Sequence, residues 1–138
     1  MAEKTCVFCS IVAGEIPCVK VYEDASVLAF LDVAPVSEGH TLVIPKRHFE
    51  TLDQCPADVL SEIMVCAGKL ARAVVAAADA DGYNALCNNG KAAGQVVGHV
   101  HLHVIPRCAG DGIFARWPAG KYGLGRAEDI AAKIREKL

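Results

Sequence analysis

The sequence lacks a surplus of either charge. Its 14 Lys+Arg stand against 16 Asp+Glu, a net formal charge of −2. A dedicated nucleic-acid binder or polybasic membrane protein needs a cationic excess for phosphate contacts, so neither partner is expected. No apolar run reaches the ~18 residues of a membrane-spanning helix before a charge or glycine interrupts it. No G-X-Y triplet and no heptad period runs through the chain, which excludes collagen and coiled coil. Linkers, internal repeats and low-complexity tracts are missing too. Apolar residues, by contrast, make up 53% of the chain and charged residues only 22%, a balance incompatible with disorder. At 138 residues, one domain spanning 1–138 around one core is expected.

The start, Met1-Ala2-Glu3-Lys4-Thr5, has neither the apolar centre nor the small-residue cleavage site of a secretory signal. The seven cysteines (6, 9, 18, 55, 66, 87 and 108) cannot all pair. Reduced thiols in a cytoplasm are therefore expected.

Residues 4–13 predict a short helix ended by Gly14. Val19–Tyr22 and Val27–Leu31 flank Glu23-Asp24-Ala25-Ser26 as a hairpin, and Thr41–Ile44 is a strand stopped by Pro45. Pro56 opens the longest helical pattern, with Leu60, Ile63, Met64, Ala67, Leu70, Val74 and Ala78 as its core stripe and Gly82 as its close. Tyr83–Cys87 and Val100–Ile105 are two more strands around the loop Asn88–Gly98, and Ala127–Leu138 is a short amphipathic helix. About five strands with a single long helix favour an antiparallel α+β layer over a doubly wound sheet, which needs regular βαβ alternation.

Chemistry concentrates in His99-Val100-His101-Leu102-His103-Val104-Ile105. Side chains alternate along a strand, so the three histidines share one face, ~6.6 Å apart at Cα from a ~3.3 Å rise per residue. Val100, Leu102 and Val104 take the other face and the core, which makes the histidine face a polar surface. Three imidazoles can hold a metal, or they can do acid–base and nucleophilic work on a phosphate. The preceding loop, Asn88-Asn89-Gly90-Lys91-Ala92-Ala93-Gly94-Gln95, can bring backbone N–H groups to an anion. It is not a Walker A loop, because Ala92 stands where Ser or Thr is needed and Ala85 where the leading Gly belongs.

His99–Ile105 resembles the signature of the histidine triad (HIT) family, His-φ-His-φ-His-φ-φ. Asn88…Gly94-Gln95 before it, Leu31-Asp32-Val33-Ala34-Pro35 and Gly39-His40-Thr41-Leu42-Val43-Ile44-Pro45-Lys46 are similar to the Hint-like branch. The likeness runs from about Cys6 to Arg107. It implies a small α+β fold, a homodimer with a continuous antiparallel sheet, and hydrolysis or transfer at the α-phosphate of purine nucleotides. Nucleoside phosphoramidates, acyl-adenylates or dinucleoside polyphosphates would release a nucleoside monophosphate through a nucleotidyl-histidine. By position, the resemblance makes His101 the nucleophile, His103 the contact to the phosphoryl oxygens, and His40 a supporting residue. Asp32 matches the ribose-hydroxyl acceptor, or it simply caps a turn. Phe8, Ile16, Phe30 and Val33 match the base-site walls, or they are plain core. Asn88, Gly94 and Gln95 match phosphate and leaving-group contacts. Next after Gln95 comes Val96, where eukaryotic members carry a serine that assists the leaving group. Trp117-Pro118 resembles a Trp-Pro that reaches the partner subunit's site in the family; packing is the other reading.

Cys6-Val7-Phe8-Cys9 is a lone Cys-x-x-Cys, open to redox, metal-binding or incidental readings. A thioredoxin-type pair would follow a first strand, which nothing here supplies. The resemblance to some bacterial members implies structural zinc on Cys6, Cys9, the histidine of Pro45-Lys46-Arg47-His48, and His99. No organic cofactor is expected. The remaining cysteines are expected to pack. Two other functions stay open: a non-catalytic nucleotide-binding or sensing protein, and a metal-dependent hydrolase built on the three histidines.

Overall fold

The computed structural model describes residues 5–138; Met1–Lys4, which hold most of the polar start and the first residue of the 4–13 stretch, lie outside the described residues. The elements run α1 (Val7–Val12), β1 (Lys20–Glu23), β2 (Val27–Leu31), β3 (Thr41–Pro45), α2 (Ala57–Ala77), β4 (Gly82–Leu86), β5 (Leu102–Arg107) and α3 (Arg126–Lys137), with single 3₁₀ turns at Leu52–Gln54 and Lys91–Ala93. The five strands form one antiparallel sheet in the order β1-β2-β3-β5-β4. This is the α+β architecture expected from five strands around one long helix.

The β1–β2 turn is held by Asp24, whose carboxylate accepts the backbone N–H of Ser26 and of Val27, each at 2.8 Å. Period-two alternation then sorts the side chains into two apolar layers. Val27, Ala29, Val43, Leu102 and Val104 pack on one face against Val59, Ile63, Cys66, Ala67, Leu70 and Val74 of α2. Leu28, Phe30, Leu42 and Ile44 pack on the other against Phe8 and Cys9 of α1. The second layer is a correction to the sequence reading. The histidine face is no open polar surface, because α1 lies over it and buries His99 and His101.

Other differences are local. The buried stripe of α2 is centred on Val59, Ile63, Cys66, Ala67, Leu70, Ala71 and Val74, while Met64 sits on its shoulder at 59% exposure. Ala78 caps α2 rather than extending it, and the chain turns back at Asp79 with φ 51°. Gly82 consequently closes no helix; it opens β4, opposite Arg107. Pro45 belongs to β3 as its last residue, opposite Val27. The histidine strand itself begins two residues late, at Leu102, because the β3–β5 ladder stops at Val43 opposite Leu102. Beyond that point Pro45 has no N–H to give, and the Val100 N–H donates instead to the Phe49 carbonyl at 2.7 Å. Among the remaining cysteines, Cys55 and Cys66 are buried and Cys18 and Cys87 partly so, but Cys108 is exposed, against the packing role expected of it. Among the described residues no helix is long and apolar enough to cross a membrane.

Candidate active site

The site grows from the register of β3 against β5. His103 lies opposite Leu42, so His40, two residues upstream of Leu42, is its diagonal neighbour across the sheet. Their rings meet: His40 Nε2 is 2.8 Å from His103 Nδ1. The direction of that bond follows from the next one. The Val36 N–H donates to His40 Nδ1 at 3.0 Å, so the neutral His40 ring carries its proton on Nε2 and donates it to His103 Nδ1. The neutral His103 ring therefore carries its own proton on Nε2, a buried atom with no hydrogen-bond partner among the described residues. A buried donor without an acceptor is uncommon and calls for an explanation such as a ligand. Burial holds His103 down at about 4, with His101 and His40 beside it pushing the same way. His40 is also lowered, by burial, against the opposing pull of Asp32. Both rings are thus neutral near pH 7.

His101 is held by the opposite end. Its Nδ1 is 2.7 Å from the His99 carbonyl, which only accepts, so in the neutral ring Nδ1 carries the proton and donates it, and Nε2 has the lone pair. The rings of His101 and His103 are 4.9 Å apart, and the edge of Phe8 meets His101 at 5.1 Å and Phe30 at 5.5 Å.

His99 turns away from this pair. Its Nε2 donates to the Pro45 carbonyl at 2.8 Å, leaving the Nδ1 lone pair toward Cys6 Sγ and Cys9 Sγ, both at 3.5 Å, and His48 Nδ1 at 3.2 Å. Cys9 Sγ and His48 Nδ1 are 3.3 Å apart. A tetrahedral zinc site with Zn–N of ~2.0–2.1 Å and Zn–S of ~2.3 Å has N···N edges of about 3.4 Å and N···S edges of about 3.6 Å. These four separations match those edges within a few tenths of an ångström, and all four ligand atoms lie within 4.8 Å of one another, so the residues fit such a cation. Burial pushes the Cys6 thiol up and holds His99 down at about 4. A second group, Asp32, His40 and His103, also converges. The three triad histidines are thus divided between two clusters and a lone His101.

The other sequence candidates fall in three places. Asp32 accepts the Ala34 N–H at 2.9 Å, a turn cap, and keeps its second oxygen 3.6 Å from His40 Nε2. Phe8 is buried against His101 and Phe30 is buried against Phe8, whereas Ile16 is exposed and Val33 projects outward at 98% exposure. In the loop, Gly90 and Gly94 take left-handed φ of 85° and 91°, and Asn88 Nδ2 lies 3.8 Å from where a Gly94 Cβ would be. The Gln95 amide closes the loop, accepting the Gly90 N–H at 2.7 Å and donating to the Glu50 and Val97 carbonyls at 2.8 and 3.0 Å. Val96, 93% exposed, lines a cavity of about 380 Å³ with Cys6, His48 and Glu50 rather than with His101 or His103. Trp117 is 89% exposed and is not core. Sequence reasoning missed the groups that set the proton positions: the Val36 N–H and the Pro45 and His99 carbonyls. Backbone atoms carry no side-chain signature, so no motif announces them.

The likeness to known proteins covers most of the chain. The HIT domain profile matches residues 13–110. An uncharacterized HIT-like protein of Methanocaldococcus jannaschii is 51% identical over 131 residues, 95% of this chain and 97% of that one. Adenylylsulfatase HINT3 of Arabidopsis thaliana is 45% identical, over 99% of this chain and 71% of that protein. Adenosine 5'-monophosphoramidase HNT1 of Candida albicans is 39% identical, over 97% and 91%. Among solved structures, a HIT family member from Bacillus subtilis gives a TM-score of 0.90 at 42% identity, covering 98% of both chains. A Zn-bound histidine triad family protein from Mycobacterium smegmatis gives 0.77 at 40% identity, over 97% of this chain and 98% of that one. With the HIT domain profile over residues 13–110 and relatives that match most of its length, the chain belongs to the HIT family.

Proposed function

We propose that this protein is a HIT-type nucleotide hydrolase of the phosphoramidase kind, acting at the α-phosphate of purine nucleotides. The observation that carries the reading is the opposed polarity of two adjacent imidazoles: His101 presents a lone pair at Nε2, and His103 presents an N–H at Nε2. An attacking nitrogen and an oxyanion donor side by side suit phosphoryl transfer. The names of the relatives, an adenosine 5'-monophosphoramidase and an adenylylsulfatase, support the same class.

In this reading His101 Nε2 attacks the α-phosphorus. The N–P bond forms as the bond to the leaving amine, sulfate, carboxylate or phosphate breaks, an amine leaving with a proton drawn from water. His103 Nε2–H binds a phosphoryl oxygen while charge grows on it. Water then attacks phosphorus, the His101–P bond breaks, and the nucleoside monophosphate is released. His40 keeps the His103 proton on the correct nitrogen. Asp32 takes a ribose hydroxyl through the oxygen its turn leaves over, Phe8, Phe30, Ile16 and Val33 border the base, and the loop Asn88–Val96 cradles the phosphate and its leaving group.

Cys6, Cys9, His48 and His99 would hold zinc, which supplies a structural cross-link between α1 and the sheet. Support comes from the donor set, its spacing and the Zn-bound relative. The chain would work as one domain, 1–138, in a cytoplasmic homodimer. β4 is an edge of the sheet, where a second copy can extend the ladder.

The test is intact-protein mass spectrometry after a rapid acid-free quench with an adenosine phosphoramidate, on the wild type and on His101→Ala. A transient adenylate on the wild type alone is expected. AMP released at an equal rate by the variant would overturn the assignment, and nucleotide binding with no adduct and no AMP would leave a binding protein instead.

A further inference from the structure

We propose that the Cys6–Cys9–His48–His99 cluster does more than brace the fold: a zinc-type cation held there positions the nucleophile, through the His99 carbonyl and the Phe8 ring. The proposal rests on the functional reading above and assigns His99 and Phe8 as positioning residues for His101.

Two connections run from the cluster to His101, and each starts at a ligand or between two ligands. The first is backbone. His99 offers Nδ1 to the cluster and Nε2–H to the Pro45 carbonyl at 2.8 Å, while its own carbonyl accepts the His101 Nδ1–H at 2.7 Å. The following residue, Val100, donates to the carbonyl of Phe49, the neighbour of ligand His48. Ligands His48 and His99 therefore fix both sides of the short extended segment that carries the carbonyl. The second connection is a side chain. Phe8 sits between Cys6 and Cys9 in sequence, and its ring meets His99 at 5.9 Å and His101 at 5.1 Å, nearly perpendicular to the latter. α1 spans only six residues, far below the length at which a helix persists unaided, so its seat depends on what anchors it.

Without a cation, the cluster sets two imidazole Nδ1 atoms 3.2 Å apart beside two buried sulfurs. The four groups are then held only by hydrogen bonds among themselves, weaker and less directional than bonds to a metal. Any resulting shift of His99 moves with it the carbonyl that holds His101 in the tautomer able to attack. Displacements of ~1 Å at a reacting group can cost on the order of a hundred-fold in rate.

The experiment compares chelator-stripped protein with the same protein reloaded with one equivalent of Zn²⁺. Two quantities are followed: the ¹H–¹⁵N signal of His101 Nδ1–H, and the single-turnover rate of adenylate formation at saturating adenosine phosphoramidate. Reloading is expected to give one sharp Nδ1–H signal that stripping broadens or abolishes. Stripping should slow adenylate formation about 10–100-fold, the range typical of groups that orient a reacting residue from behind it, while AMP affinity holds. Phe8→Leu at full zinc content should show the same loss of signal and rate, and it serves where the stripped protein does not stay folded. An unchanged signal and rate in both the stripped protein and Phe8→Leu would overturn the proposal. If no form gives an adduct, it is the phosphoramidase reading that fails, and the Nδ1–H comparison still decides whether the cluster sets the tautomer.

Discussion

At the scale of single residues, the direction of each hydrogen bond matters more than its presence. His40, His101 and His103 are chemically identical, yet a backbone N–H at one ring and a carbonyl at another give two opposite proton placements, Nε2 on His40 and His103 and Nδ1 on His101. His101→Ala is expected to lower kcat by about a thousand-fold or more while AMP still binds, because it removes a group used only in the chemical step; steady-state kinetics beside calorimetric titration with AMP checks both. His40→Ala should cost about 10–100-fold in kcat with little change in KM, since it frees the His103 ring to take the wrong tautomer. The same burial makes a prediction about acid. His103 sits at about 4 in the fold against an ordinary 6.5, so the unfolded chain binds its proton first as pH falls. Its contribution to stability is complete above about pH 6.5 and is lost on descent toward pH 4. His40 shifts in the same direction. Urea midpoints measured between pH 4 and 7 should fall with pH, and His103→Leu should flatten that slope. The four residues of the metal cluster, and the histidines that flank it, were legible as residue types in the sequence. Their mutual orientation was not, since it depends on carbonyls that any residue could supply.

At the scale of elements, alternation proved a sturdier guide than strand boundaries. His99 and His101 lie outside the β5 ladder, and still they share the α1 side of the sheet with His103: Phe8 of α1 meets the rings of both, and the His101 ring meets that of His103. The boundary moved because Pro45 has no amide to continue pairing. The helical stripe erred for a different reason: a 3.6-residue period leaves residues such as Met64 on the margin, where only the outline of the sheet decides burial. Leu70→Ala should therefore destabilise the fold by about 2–5 kcal/mol, whereas Met64→Ala should stay within about 0.5 kcal/mol; chemical denaturation separates the two. In the Asn88–Gly98 loop, Gly94 has room for a Cβ but a φ of 91°. Gly94→Ala is expected to cost about 1–2 kcal/mol through backbone strain alone and to weaken AMP binding, read by calorimetry.

At the scale of the whole molecule, the sheet is covered unequally, by the 21-residue α2 on one face and the six-residue α1 on the other. The thin side carries the candidate chemistry, and contacts of Cys6 and Cys9 with His48 and His99 join it to the sheet. A site saturated at a thousand times its dissociation constant stabilises by about 4 kcal/mol, so stripping zinc should lower Tm by on the order of ten degrees, as scanning calorimetry would record. The α+β class and the order of helices and strands could be read in advance from spacing alone. That α1 forms a lid could not, because nothing local distinguishes a helix that lies on a sheet from one that trails beside it.

The connectivity of the sheet also sets an order of events during synthesis. β3 waits for β5 rather than pairing with the strand that follows it, so His40 meets a partner 63 positions later, and Cys6 meets one 93 positions later. Such distant closures come late in folding, after local hairpins and helices have formed. A nascent chain with β1, β2, β3 and α2 complete would still have neither a nucleophile nor its fourth metal ligand. Activity and metal capture would begin together, only after the last strand leaves the ribosome.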